Sequence, residues 1–247
     1  MVDISRRRML AASALLGALP AAPASAEVLH GEAPWTGGAA APAEAQKQAD
    51  DDGAYIFFTP IEAAFIEAAA ARLIPEDDLG AGAVEAGVPH FIDRQLAGEF
   101  GQGTRWYMQG PWAKGEPTQG YQSRLTPAGM YRAGVKAIDT ATAQAFSGKT
   151  FAQLAAPDQD VFLGQLEKGQ INLDGVDAKT FFAMLLQNVI EGFWSDPLYG
   201  GNRDMVGWKL IGFPGARYDN TPFVEQHGQA YPLPPVGLKG RPAWTRS

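Results

Sequence analysis

The 247-residue chain is 46% apolar and 19% charged, has a formal net charge of −7 and contains no cysteine. The acidic balance argues against nucleic acid or an anionic lipid face as the main partner. Without cysteine there are no disulfides, thiolate nucleophiles, cysteine-ligated iron–sulfur clusters or Cys-x-x-Cys-His haem attachments within this chain.

The chain begins with Ser5-Arg6-Arg7-Arg8-Met9-Leu10, an apolar run from Met9 to Leu19, and Pro23-Ala24-Ser25-Ala26. A basic start, a short apolar stretch and an Ala-x-Ala end at Ala24 and Ala26 read as a signal peptide over 1–26, cleaved after Ala26. Arg6 and Arg7 directly before the apolar run point to the twin-arginine translocase, and hence to a periplasmic location. A general secretory signal or an uncleaved tether are the alternatives for the same residues. Cleavage removes Arg6, Arg7, Arg8 and Asp3, leaving 17 basic and 26 acidic residues and a net charge of −9. Residues 27–53 are rich in Ala, Gly and Pro and read as a flexible linker or arm, with Trp35 as a local contact or an anchor.

Helical signals dominate the rest, 54–247, which reads as a single domain with an irregular C-terminal tail. Thr59-Pro60-Ile61-Glu62 forms a capping box with proline at the first helical position, followed by Ile61, Phe65, Ala69 and Leu73 at i, i+4 spacing and a stop at Pro75. Val88-Pro89 opens a second helix carrying Phe91, Ile92, Leu96 and Phe100, closed by Gly101-Gln102-Gly103. Residues 101–125 show no period but hold Trp106, Tyr107, Trp112 and Tyr121. Thr126-Pro127 starts a long helix with Tyr131, Val135, Ile138, Thr142 and Phe146 on one face, and Gly148 suits its C-terminal cap. Ala156-Pro157-Asp158 starts another, leading into Val161, Phe162 and Leu166, with Asp158 and Asp160 in the favourable first turn and an end near Gly169. Asp177 caps a segment that is apolar on almost every face from Phe181 to Phe193, the expected buried central helix. Alternating strands are absent. The expected fold is mostly α, a compact helical domain of about five to six helices with long irregular loops and an extended proline-rich C-terminal tail.

After the central helix comes a glycine- and aromatic-rich stretch from Gly192 to Gly215, with turns at Asp196-Pro197 and Gly200-Gly201-Asn202. It contains no nucleophile paired with a base. His30, His90 and His227 fall in no metal-ligand spacing, Gly-x-Ser-x-Gly is missing, and the glycines match neither a dinucleotide fingerprint nor a phosphate loop. Glu191 and Asp196 form a carboxylate pair in principle, but Asp196 before a proline is better read as a turn residue. No catalytic, cofactor-binding or metal-ligating residue is assigned in this chain.

The block at 193–215, together with Phe58-Thr59-Pro60, Arg72-Leu73-Ile74-Pro75 and the Gly192-Phe193-Trp194 lead-in, resembles the gluconate 2-dehydrogenase subunit 3 family over roughly residues 55–220. That resemblance implies a small, cofactor-free subunit of a membrane-bound, periplasm-facing sugar or sugar-acid dehydrogenase. It implies FAD in a large flavoprotein partner and haem c in a multi-haem cytochrome partner. The small subunit would support folding and twin-arginine co-export of the flavoprotein, without an active site of its own. Trp194, Tyr199, Asn202, Arg203 and Trp208 would then contact the partner or shape the loop. Internal packing is the leading reading for the two tryptophans, a left-handed turn is open for Asn202, and contact leads for Tyr199 and Arg203. The competing reading is an independent periplasmic carbohydrate-binding protein or hydrolase that uses the aromatic segment 106–121 and the Asp196 loop.

Overall fold

The structure, a computed structural model, describes residues 54–239 apart from Lys114, Pro117 and Tyr218. The signal expected over 1–26, the arm over 27–53 with His30 and Trp35, and the tail from residue 240 lie outside the described residues. Seven α-helices occur among the described residues: α1 Pro60–Leu73, α2 Val88–Ala97, α3 Glu99–Gln102, α4 Pro127–Ala145, α5 Ala156–Lys168, α6 Ala178–Trp194 and α7 Val206–Ile211. No strand forms there, only isolated bridges such as Gly215 with Val236. The fold is mostly α, as the helical spacing predicts.

Local chemistry accounts for where the helices start and stop. Thr59 accepts from the Glu62 N–H while Glu62 accepts from the Thr59 N–H at 2.9 Å, the complete capping box. Thr126 and Asp177 cap α4 and α6 with the first half of that arrangement only, their side chains accepting from the Gly129 and Thr180 N–H groups. Glycine breaks the expected second helix in two at Gly98, so Phe100 sits on the separate one-turn α3.

The hub is α6, which packs against α1, α2, α4, α5 and α7. Phe181 on α6 meets Phe65 of α1 and Tyr131 of α4 at ring separations of 6.1 and 5.7 Å, and all three are buried. Each fully buried aromatic ring of this kind contributes about 1.5–3 kcal/mol, so this cluster is the energetic centre of the body. Helical spacing misplaces three apolar side chains. Ile61, Val161 and Ile190 are exposed, because each projects beyond the arc that a neighbouring helix covers. On α6 this leaves an outward stripe on a helix expected to be buried nearly all round.

Two contacts distant in sequence tie irregular segments to the helices. Asp93 of α2, 2% exposed, accepts the N–H groups of Ile56, Phe57 and Phe58 at 2.8, 2.9 and 2.8 Å. Arg132 of α4 donates to the Phe57 carbonyl and stacks its guanidinium 4.0 Å from the Phe57 ring centre. The segment before α1 is therefore strapped across α2 and α4. At the other end, the chain after α7 folds back: Val236 pairs with Pro214 and Ala216, and the Leu238 N–H donates to Asp196 at 2.7 Å.

Candidate functional site

The 192–215 stretch is built on the C-terminal end of α6. Asp196 caps a one-turn 3-10 segment, Pro197–Tyr199, by accepting from the Leu198 N–H at 2.9 Å. The same carboxylate holds Leu238, so its role is structural at both oxygens. The turn reading of Asp196 is right; the tie to the tail has no sequence signal.

Asn202 is completely buried and left-handed at φ 45° and ψ 43°. Its Nδ2 donates to the Ser195 carbonyl at 2.9 Å, and its Oδ1 accepts from the Gly207 N–H at 2.8 Å. One side chain thus joins the end of α6 to the start of α7 and satisfies backbone groups that water does not reach. The backbone stays left-handed at Asp204 and Met205 as well, at φ 55° and 58°. Such non-glycine conformations cost about 1–3 kcal/mol each and persist only where the surroundings hold them. Here the hold comes from Asn202, from the Met205 N–H on the Asn202 carbonyl, and from the Arg203 N–H on Ala86.

The glycines serve packing. A Cβ on Gly201 would lie 2.2 Å from the Gly192 carbonyl oxygen, and one on Gly207 would lie 2.5 Å from the Phe193 carbonyl oxygen. Both positions press backbone against the last turn of α6, which is why the stretch is glycine-rich without being a phosphate cradle.

The five loop residues singled out from sequence divide into two groups. Asn202 and Trp208 turn inward; the Trp208 indole N–H donates to the Trp194 carbonyl at 2.9 Å and locks α7 onto α6. Trp194, Tyr199 and Arg203 reach the surface. Trp194 sets its ring edge-on against Phe193, so it is half packed and half available. Around them, Ile190, Leu210, Ile211 and Phe213 are also exposed, and the Phe213 ring meets Trp208 at 5.2 Å.

Grooves among the described residues include open ones of about 640, 430 and 550 Å³. The first runs between the start of α1 and α4, the second along α6 beneath Trp106 and Tyr121, and the third lies within residues 106–122. Several of their polar groups are engaged structurally. In the second groove Glu191 accepts from Gln187 at 2.9 Å, and the Tyr121 hydroxyl donates to the Leu125 carbonyl at 2.9 Å. Asn188 donates to the Tyr131 hydroxyl at 2.9 Å. Burial pushes the Tyr131 phenol far up, opposed by that hydrogen bond and reinforced by the Glu191 charge, so it stays protonated. His90 stacks on Tyr55, with ring centres 4.6 Å apart. Among the described residues no group of three or more His, Asp or Glu side chains is placed to hold a metal ion. No helix among them is long and apolar enough to cross a membrane.

Sequence reading missed Asp93, the Tyr131–Asn188 pair and the Arg72–Asp160 ion pair that joins α1 to α5 at 2.7 Å. For Asp93 a signal exists: an acidic residue four after Pro89 and three before Leu96 lies on the helix face that packs inward.

These features define a helical body whose polar groups fasten segments together, topped by a tightly packed loop with aromatic side chains at its rim. The sequence model for gluconate 2-dehydrogenase subunit 3 matches residues 60–215, from the first residue of α1 to Gly215, four residues past the end of α7, and the chain belongs to that family. No curated protein and no solved structure gives a significant match.

Proposed function

We propose that this chain is the non-catalytic small subunit of a membrane-bound, periplasm-facing, FAD-dependent dehydrogenase of the gluconate 2-dehydrogenase type. It supports the folding, stability and twin-arginine co-export of the flavoprotein subunit. FAD belongs to that large subunit and haem c to a multi-haem cytochrome subunit, so the oxidation of substrate is carried out outside this chain. The observation that carries the reading is the family match across the whole helical body, α1 to α7. It is supported by the Arg6-Arg7 signal ending at Ala24 and Ala26, since the twin-arginine route moves folded proteins.

Co-expression tests it. The flavoprotein gene is expressed with and without this chain, and FAD-linked dehydrogenase activity is measured in the periplasmic and membrane fractions. Active flavoprotein is expected outside the cytoplasm only when this chain is present with Arg6 and Arg7 intact. Equal exported activity without the chain would overturn the proposal.

A further inference from the structure

We propose that the groove along α6 beneath Trp106 and Tyr121 binds a primary alkylammonium group, as carried by a lysine side chain or a free alkylamine, between three aromatic rings and the Glu191 carboxylate. The proposal stands on this groove alone and is independent of the subunit reading above.

Thr180, Met184, Gln187, Asn188 and Glu191 recur at three- and four-residue spacing, so they form one stripe of α6, and all of them line the groove. The rest of its wall is Phe100 of α3 with Trp106 and Tyr121 of the irregular segment that follows. The Trp106 ring lies 5.7 Å from Phe100 at an interplanar angle of 87°, and 4.8 Å from Tyr121 at 52°. Rings inclined so steeply make a corner rather than a flat wall, and a cation seated in such a corner meets the electron-rich face of a ring. A volume of about 430 Å³ lies in the range of small-molecule sites.

The polar groups of the groove select the ligand. Both hydroxyls already donate to the protein, Thr180 to the Asp177 carboxylate at 2.7 Å and Tyr121 to the Leu125 carbonyl at 2.9 Å. Both amides donate through their nitrogens, Gln187 to Glu191 and Asn188 to the Tyr131 hydroxyl. Asn188 is only 4% exposed, yet its Oδ1 accepts no bond among the described residues and is not sealed from solvent. What the groove keeps for a ligand is therefore chiefly oxygen lone pairs, with one negative charge at the exposed Glu191. Among the described residues no lysine or arginine lines the groove, and Glu191 makes no ion pair, its hydrogen-bond partner being the neutral Gln187. An anion needs donors and a polyol needs donors and acceptors together, whereas the three N–H bonds of an ammonium need acceptors alone. The net charge of −7 draws cations to the chain as a whole.

The test titrates n-butylammonium chloride into the full chain at constant ionic strength and follows the Trp106 indole N–H by nuclear magnetic resonance, its signal assigned by its loss in Trp106→Leu. A saturable shift is expected. N-acetyl-lysine methylamide forms the second arm: tighter binding than butylammonium assigns the group to a peptide, equal or weaker binding to a free amine. Butan-1-ol, butanoate and sorbitol at the same concentrations are expected to leave the signal in place. Glu191→Gln should weaken amine binding at least about fivefold, and Glu167→Gln, which removes an exposed charge on α5 outside the groove, should leave it unchanged. Both variants should keep the circular dichroism and melting temperature of the unsubstituted chain. Trp106→Leu, measured by calorimetry, should also bind more weakly; if that variant loses its fold, Glu191→Gln alone decides. The proposal is overturned if neither amine gives a saturable shift, if Glu191→Gln binds them equally well, or if butan-1-ol or sorbitol binds as tightly.

Discussion

Replacing Asp93 with alanine would take the shared acceptor away from three consecutive N–H groups at once. The Phe58 N–H lies in a buried setting and those of Ile56 and Phe57 in partly buried ones. An orphaned buried donor costs about 1–3 kcal/mol, and each partly exposed bond to a charged group contributes somewhat less once water replaces it. The strap has an escape, which is to lift off and hydrate. Lifting forfeits the burial of Phe58, about 1.5–3 kcal/mol, and its contact with Tyr131, while releasing backbone entropy of about 1–2 kcal/mol per residue. With the strap held in place and its amides unpaired the loss is about 3 kcal/mol, or about 6–12 °C in melting temperature for a body of this size, and the entropy released on lifting brings the loss below that. Asp93→Asn should lose about half as much. Its amide oxygen can still serve Phe57 and Phe58, which share Oδ1, while its NH₂ faces the Ile56 N–H without an acceptor. Urea unfolding followed by tryptophan fluorescence gives the stabilities, and amide hydrogen exchange at residues 56–58 reports the strap directly. If Asp93→Ala unfolds within about 0.5 kcal/mol of the unsubstituted protein with unchanged exchange at those amides, the strap is not held as described.

Two further outcomes follow from the same geometry. Asn202→Ala removes both side-chain bonds at a left-handed position and should cost about 2–4 kcal/mol, while Asn202→Gly, which tolerates the backbone, should cost less; equal losses on urea unfolding would contradict the conformational part of the account. Burial raises the Asp139 carboxyl above the ordinary carboxylate range, opposed by the bond it accepts from the Phe151 N–H. The folded state then binds that proton more tightly than the unfolded chain, so this residue's contribution is full below the unfolded pKa and is lost as pH rises through the folded value. Asp139→Asn should therefore match the unsubstituted protein near about pH 3 and be the more stable of the two near pH 7, and a difference that does not change with pH would refute the assignment.

Most of the helical body is legible in the linear chain because its signals are short-range. A threonine before Pro60 or Pro127, Asp177 three residues before Thr180, and Gly169 after α5 each act within one turn of where they stand. The same holds for the turn at Asp196-Pro197 and for the family-like block at 193–215. Local hydrogen-bond geometry repeats wherever those residues recur, so no knowledge of the rest of the molecule is required.

What the chain alone leaves open is direction and distant partnership. Trp194 and Trp208 are the same residue type in the same stretch, yet one is half exposed and the other buried, because α7 folds back and spends the Trp208 indole on the end of α6. Asp93 finds its three amides 35–37 positions away, Asn188 finds Tyr131 57 positions away, and Asp196 finds Leu238 42 positions away. Helical periodicity says that a stripe is apolar but not how wide an arc its neighbours cover, so Ile61, Val161 and Ile190 end up in solvent. Only the packing of α6 among five other helices decides that arc, and with it which aromatic side chains of the 192–215 loop are core and which are surface.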